Sequence, residues 1–166
     1  MIKKLIVAAA LALGFTAGAT EIPIRGLVTS KCIINVDTPG IYGNPTPEIL
    51  STFAADGGRP AVVRYDVIQA GYYKAIITTP DSFTTSPTLA DSVTWTSNVD
   101  VSKITNASMS AYTNAKRVYN GNITEIDLTV QGTVWFAATS KAQYGYNKSF
   151  PMGEYKSVVL AQCIAL

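Results

Sequence analysis

Residues 153–166, GEYKSVVLAQCIAL, constrain the fold more than any other stretch. A glycine and a tyrosine lead into an apolar strand that runs to Leu166 without a polar tail. Chain ends are ordinarily polar and frayed, so this strand is expected to be held in a sheet through its last residue. Its period-two pattern gives two faces. Val158, Leu160, Ile164 and Leu166 share one; Tyr155, Val159, Ala161, Cys163 and Ala165 share the other. The Val158 face is the bulkier and more apolar, and is expected to line the core.

The body of the chain reads as β throughout. Residues 61–68 and 72–79 are rich in β-branched and aromatic side chains, with Gly71 between them. Residues 93–96 form a shorter strand. Asn120-Gly121 is a strong hairpin signal between 117–119 and 122–124. Ile126, Leu128 and Val130 fall on one face of the strand that follows. Another strand covers 133–138, after a bend or bulge expected at Gly132. Short strands, turn clusters between them and little helical periodicity predict an all-β sandwich.

The compartment is set by the first residues. Lys3 and Lys4 precede an apolar run over 5–14, and Ala17-Gly18-Ala19 is a small-residue cleavage site. This layout predicts a secretory signal peptide, 1–19, whose apolar run is too short to span a bilayer. The chain has 13 basic and 11 acidic residues. Lys3 and Lys4 leave with the signal, so the charges of the remainder cancel, which argues against a nucleic-acid partner. Cys32 and Cys163 are the only cysteines. In an exported chain the default is one intrachain disulfide between them, with two free thiols or an intermolecular pair as the alternatives.

Residues 20–30, TEIPIRGLVTS, precede the first core strand. Ile22, Ile24, Gly26 and Val28 recur at period two on one face of an extended segment. Pro23 lacks an amide hydrogen and argues against an ordinary central strand.

Catalytic motifs are missing. The sequence contains no histidine, which removes the commonest general base and metal ligand. No nucleophile elbow, Walker loop or dinucleotide fingerprint is found, and the carboxylates show no pairing by spacing. No catalytic residue, metal site or cofactor is predicted. The nine tyrosines, with Trp95 and Trp135, are expected mainly as sheet and core residues. In Tyr72-Tyr73 one ring should face outward, since adjacent strand residues point to opposite faces. Tyr144 and Tyr146, either side of Gly145, are also of interest as a candidate stacking surface.

Signal, extension, β body and the Gly153/Tyr155 ending together resemble pilins assembled by the chaperone–usher route. The likeness is greatest to the alpha-type subunits of colonisation-factor fimbriae, whose ending also runs glycine, any residue, tyrosine, then paired valines, as Gly153, Tyr155, Val158 and Val159 do here. Two positions differ from many pilins: Ala165 stands where a tyrosine is common, and the only partner for Cys32 lies in the final strand.

The resemblance implies an immunoglobulin-like β-sandwich over 31–166 that lacks its last strand. It implies donor-strand exchange, in which 20–30 of one subunit, through Ile22, Ile24, Gly26 and Val28, completes the next. Gly153, Tyr155, Val158, Leu160, Ile164 and Leu166 are then the acceptor and chaperone-binding strand. The implied partners are identical subunits in a homopolymer, a periplasmic chaperone, an outer-membrane usher and, as an optional addition, a tip adhesin. The implied product is a surface fimbria, reached through the periplasm, that supports adhesion or biofilm. The alternative is a self-contained secreted β-sandwich module binding a carbohydrate or host surface, which would tolerate deletion of 20–30.

Overall fold

The computed structural model describes residues 32–166. The predicted signal peptide and the extension residues Ile22, Ile24, Gly26 and Val28 lie outside the described residues.

Among the described residues ten strands follow one another: β1 (Cys32–Thr38), β2 (Gly43–Thr46), β3 (Ile49–Ser51), β4 (Ala61–Val67), β5 (Tyr73–Thr78), β6 (Val93–Ile104), β7 (Arg117–Tyr119), β8 (Ile123–Asp127), β9 (Gly132–Tyr144) and β10 (Leu160–Ala165). Two 3₁₀ turns, Ala54–Asp56 and Ala107–Ala111, and a single helical turn, α1 (Tyr112–Ala115), complete the list. All strand pairs are antiparallel.

The first sheet is built on β9. Along one side it pairs with β6 over nearly its whole length; on the other it pairs first with β4 and then with β3. Strand β1 lies outside β4, and β2 outside β3. The second sheet runs β10-β5-β8-β7. Period-two alternation makes both sheets amphipathic. On β9, Val134, Phe136, Ala138, Ser140 and Ala142 are buried and the residues that alternate with them are not.

Tyr65 and Val67 on β4, Val134 and Phe136 on β9, and Val99 on β6 meet Tyr73, Ala75 and Ile77 on β5 and Ile126 on β8 in one core between the sheets. Tyr65 meets Phe136 edge-on, ring centroids 5.6 Å apart, a geometry that suits the ring quadrupoles. The expected all-β sandwich of two antiparallel sheets is present.

Several local expectations hold as well. Asn120 and Gly121 both take positive φ, 52° and 76°, the mirror-image turn that matches strand twist. Tyr73 is buried while Tyr72 is exposed. Two strands run further than expected: β6 continues to Ile104 and β9 to Tyr144. Gly132 opens β9 in regular register with Val67, so of the bend or bulge expected there the bend is present, at Val130 and Gln131.

Candidate functional site

The sandwich has two long seams where the edges of its sheets face each other. At the first, β6 and β7 are bridged by the chain between them. Met109 and Tyr112 from this connection are fully buried in the core. The Val130 amide donates to the Tyr112 hydroxyl at 2.9 Å. Lys116 Nζ donates to the Val99 carbonyl and pairs with Asp100, each at 2.7 Å.

The second seam, between β1 and β10, is different. Among the described residues β1 pairs only with β4, and β10 only with β5. One covalent tie crosses the gap, a disulfide between Cys32 and Cys163 with α-carbons 6.3 Å apart. This is the intrachain pairing expected from two cysteines in an exported chain. Beyond it the edges part around an apolar groove of about 450 Å³. Ile34 and Val36 form one wall, Ala61 and Val63 the floor, and Val159 and Ala161 the other wall. Cys32 starts β1 and Cys163 lies near the end of β10. The disulfide therefore closes one end of the groove, and Thr38, Gly40 and Ser157 surround the other.

Val36 is the telling residue of this seam. It shares a strand face with Cys32 and Ile34, both of which pack against the core. Yet it is 83% exposed. A β-branched side chain on the inner face of a sandwich is normally among the most buried.

The backbone of β10 is open along the same edge. The Leu166 amide donates to the Tyr72 carbonyl at 3.0 Å. In the observed register this turns the polar groups of Leu160, Gln162 and Ile164 toward β5. Those of Ala161, Cys163 and Ala165 then point away, along the free edge. From inside, the Tyr65 hydroxyl donates to the Gln162 carbonyl at 3.1 Å. Burial pushes this phenol well above its ordinary range, so it remains a proton donor. At the open end, the Trp135 indole N–H donates to Asp37 at 2.9 Å. That bond, then the Thr38 hydroxyl, holds the Asp37 carboxyl below the usual carboxylate range.

The anticipated acceptor residues divide. None of Val158, Leu160, Ile164 and Leu166 is buried in the core; all four are exposed, and of them only Val158, just before β10, also borders the groove, at its mouth. The inner face is Val159, Ala161 and Cys163. The cause is strand parity. Cys163 must point inward to reach Cys32, and residues an even number of positions away share its direction. The cysteine pair carried this signal: once Cys32 and Cys163 are bridged across the groove, Leu160 and Ile164 must face out. Ile34, Val36 and Val63 are the groove residues the sequence reading missed.

Gly153 and Tyr155 lie before β10, outside the groove. Lys156 exchanges backbone hydrogen bonds with Thr85, which ties this segment to the loop after β5. A β-carbon on Gly153 would sit 2.4 Å from Pro87 Cγ, so glycine is required for this close approach. Tyr155 packs edge-on against Phe83 and Phe150, and its hydroxyl donates to the Pro151 carbonyl at 2.6 Å. Both residues brace the entry to β10. Among the described residues, no group of three or more His, Cys, Asp or Glu is placed to hold a metal ion. Comparison with protein-family models, with curated proteins and with solved structures finds no match.

Proposed function

We propose that this chain is the structural subunit of a surface fimbria, polymerised by donor-strand exchange between identical copies. The sandwich is read as immunoglobulin-like with its last strand supplied in trans. The observation that carries this reading is Val36, an inward-facing valine left 83% exposed beside an apolar groove. A strand laid there would cover Val36, Val159 and Ala161. It would also pair with the outward backbone groups of Ala161 and Cys163, the strand-addition mode of recognition.

Residues 20–30 fit the role. Ile22 to Val28 matches Ser157 to Cys163 in length, about 20 Å of extended chain. They fit poorly in their own groove. To lie parallel to β1 they would need a crossover of a dozen or more residues, and only Lys31 separates residue 30 from Cys32. To lie antiparallel they would need a tight turn at Ser30-Lys31, which has no glycine, asparagine or aspartate to take the positive φ of a two-residue hairpin turn. A second copy has neither constraint. Before assembly, a periplasmic chaperone would cover the same edge, which otherwise invites aggregation. An outer-membrane usher would then exchange it for the next extension.

The test uses a subunit lacking 20–30 and a synthetic peptide of that sequence. The peptide should bind one to one and raise the melting temperature by mass action. A peptide with Gly26→Val should bind more weakly than one with Arg25→Ala. A soluble, stable monomer indifferent to the peptide would instead support the self-contained binding module.

A further inference from the structure

We propose that the disulfide end of the sandwich is a second contact surface, seated on the groove mouth of the next copy of this chain. The inference rests on the strand-exchange reading and follows from chain length. The disulfide closes one end of the groove, so an inserted strand leaves at the other, between Thr38 and Ser157. Only Thr29, Ser30 and Lys31 separate Val28 from Cys32. Fully extended, that link reaches about 13 Å. Cys32 of one copy is therefore drawn close to the open end of the next copy's groove, and the surfaces around both must meet.

Both surfaces carry exposed apolar side chains. Around Cys32, exposed Ile33, Ile68, Tyr72 and Leu166 cluster at one end of the sandwich. Register places them together. Val67, which precedes Ile68, pairs with Cys32, and Leu166 bonds to the Tyr72 carbonyl. At the groove mouth, Val36, Ile41 and Val158 are exposed. Single exposed hydrophobics mean little, but here they gather at the two ends that the short link brings together. The two surfaces differ, so the contact is heterologous and repeats head to tail without closing, as a filament requires. The inserted strand fastens neighbouring copies; the end-to-end contact fixes the angle between them and stiffens the fibre.

The experiment expresses the full chain with its assembly machinery, as wild type, as Ile68→Asp/Tyr72→Asp, and as Val118→Ser, which lies on β7 away from both ends. Fibres are scored for resistance to dissociation in detergent and for persistence length by electron microscopy. The double variant should form detergent-resistant fibres whose persistence length falls at least two-fold, while Val118→Ser changes neither. Stiff fibres from the double variant, or no fibres from a folded one, overturn the inference. A photo-crosslinking amino acid in place of Tyr72 gives a second reading that leaves the fold intact. Its adducts should map to the neighbouring copy near Ile41 and Val158, and adducts confined elsewhere overturn it. A wild-type chain that forms no polymer overturns the strand-exchange reading itself.

Discussion

The two seams of this sandwich solve the same problem in different ways. Each must cover the inner face of a sheet edge. At the β6/β7 seam the chain does so itself, and Val99 on β6 is 1% exposed beneath Tyr112 and Met109. At the β1/β10 seam no described strand covers the gap: a disulfide and the side-chain bonds of Tyr65 to Gln162 and Tyr42 to Ser157 tie the sheets, and the inward-facing Val36 is 83% exposed. One seam is finished within the fold; the other is pinned at one end and open along the rest. Under the strand-exchange proposal, stability and assembly would fall to opposite sides of one core.

The largest expected effect comes from cutting the pin. Cys32 and Cys163 are 131 positions apart, and closing a loop of that length is worth about 4–5 kcal/mol in the chain-entropy model. A double Cys→Ser variant should lose stability of that order in chemical denaturation under oxidising conditions, and reduction of the wild type should match it. A loss below about 1 kcal/mol would mean that the open seam is held by something besides its bridge.

Removing the seal at the other seam should cost nearly as much. Tyr112→Ala empties a buried site against Phe136 and leaves the Val130 amide without its partner. The expected loss is about 3–5 kcal/mol, with peptide 20–30 still bound by whatever fraction remains folded. If peptide binding fell in proportion far beyond the loss of folded protein, the two seams would be coupled rather than independent.

A smaller effect links the core to the open edge. Tyr65→Phe removes the hydroxyl that supports β10 at the Gln162 carbonyl, a bond worth about 1 kcal/mol. Burial raises the folded phenol above its unfolded value. The stabilisation is thus complete below the unfolded tyrosine pKa of about 10 and is lost as pH rises beyond it. Wild type and Tyr65→Phe should therefore converge in stability in alkaline titrations. Parallel curves would show that burial does not hold the phenol protonated; equal stability of the two proteins near neutral pH would show that the hydroxyl does not support the strand.

What could be read from the sequence, and what could not, follows the same division. Strong period-two alternation with bulky residues marked β4, β5 and β8, and Asn120-Gly121 marked its turn without ambiguity. The even cysteine count gave the disulfide. The full length of β6 was hidden because Thr96, Ser97 and Asn98 carry no apolar alternation; β9 supplies the pairing that extends it. The sealing segment at 107–115 is a run of small and polar residues around Met109 and Tyr112, with no periodicity to announce it. The face of β10 was misjudged because bulk favoured Val158 and Leu160, whereas the bridge at Cys163 decides direction. A covalent constraint outweighs a hydrophobicity preference where the strand lies at an edge and both faces are apolar.

The smallest expected effect on stability is also the sharpest test of the comparison. Val36 and Val99 are both inward-facing valines of the first sheet. Val99→Ala should cost about 2 kcal/mol through lost burial and cavity formation. In a subunit lacking 20–30, Val36→Ala should change stability by less than about 0.5 kcal/mol, as an exposed site does. In the peptide-bound subunit, Val36 becomes buried and its truncation should weaken peptide binding about ten-fold, the equivalent of about 1.4 kcal/mol. Denaturation of the free subunit and calorimetric titration with the peptide separate these quantities. An equal cost at Val36 with and without peptide would place the inserted strand elsewhere. A large cost in the free subunit would mean that Val36 is already covered, and the contrast between the seams would collapse. A silent Val36 in the free subunit that matters only once the groove is filled is the behaviour that distinguishes an acceptor seam from a merely untidy edge.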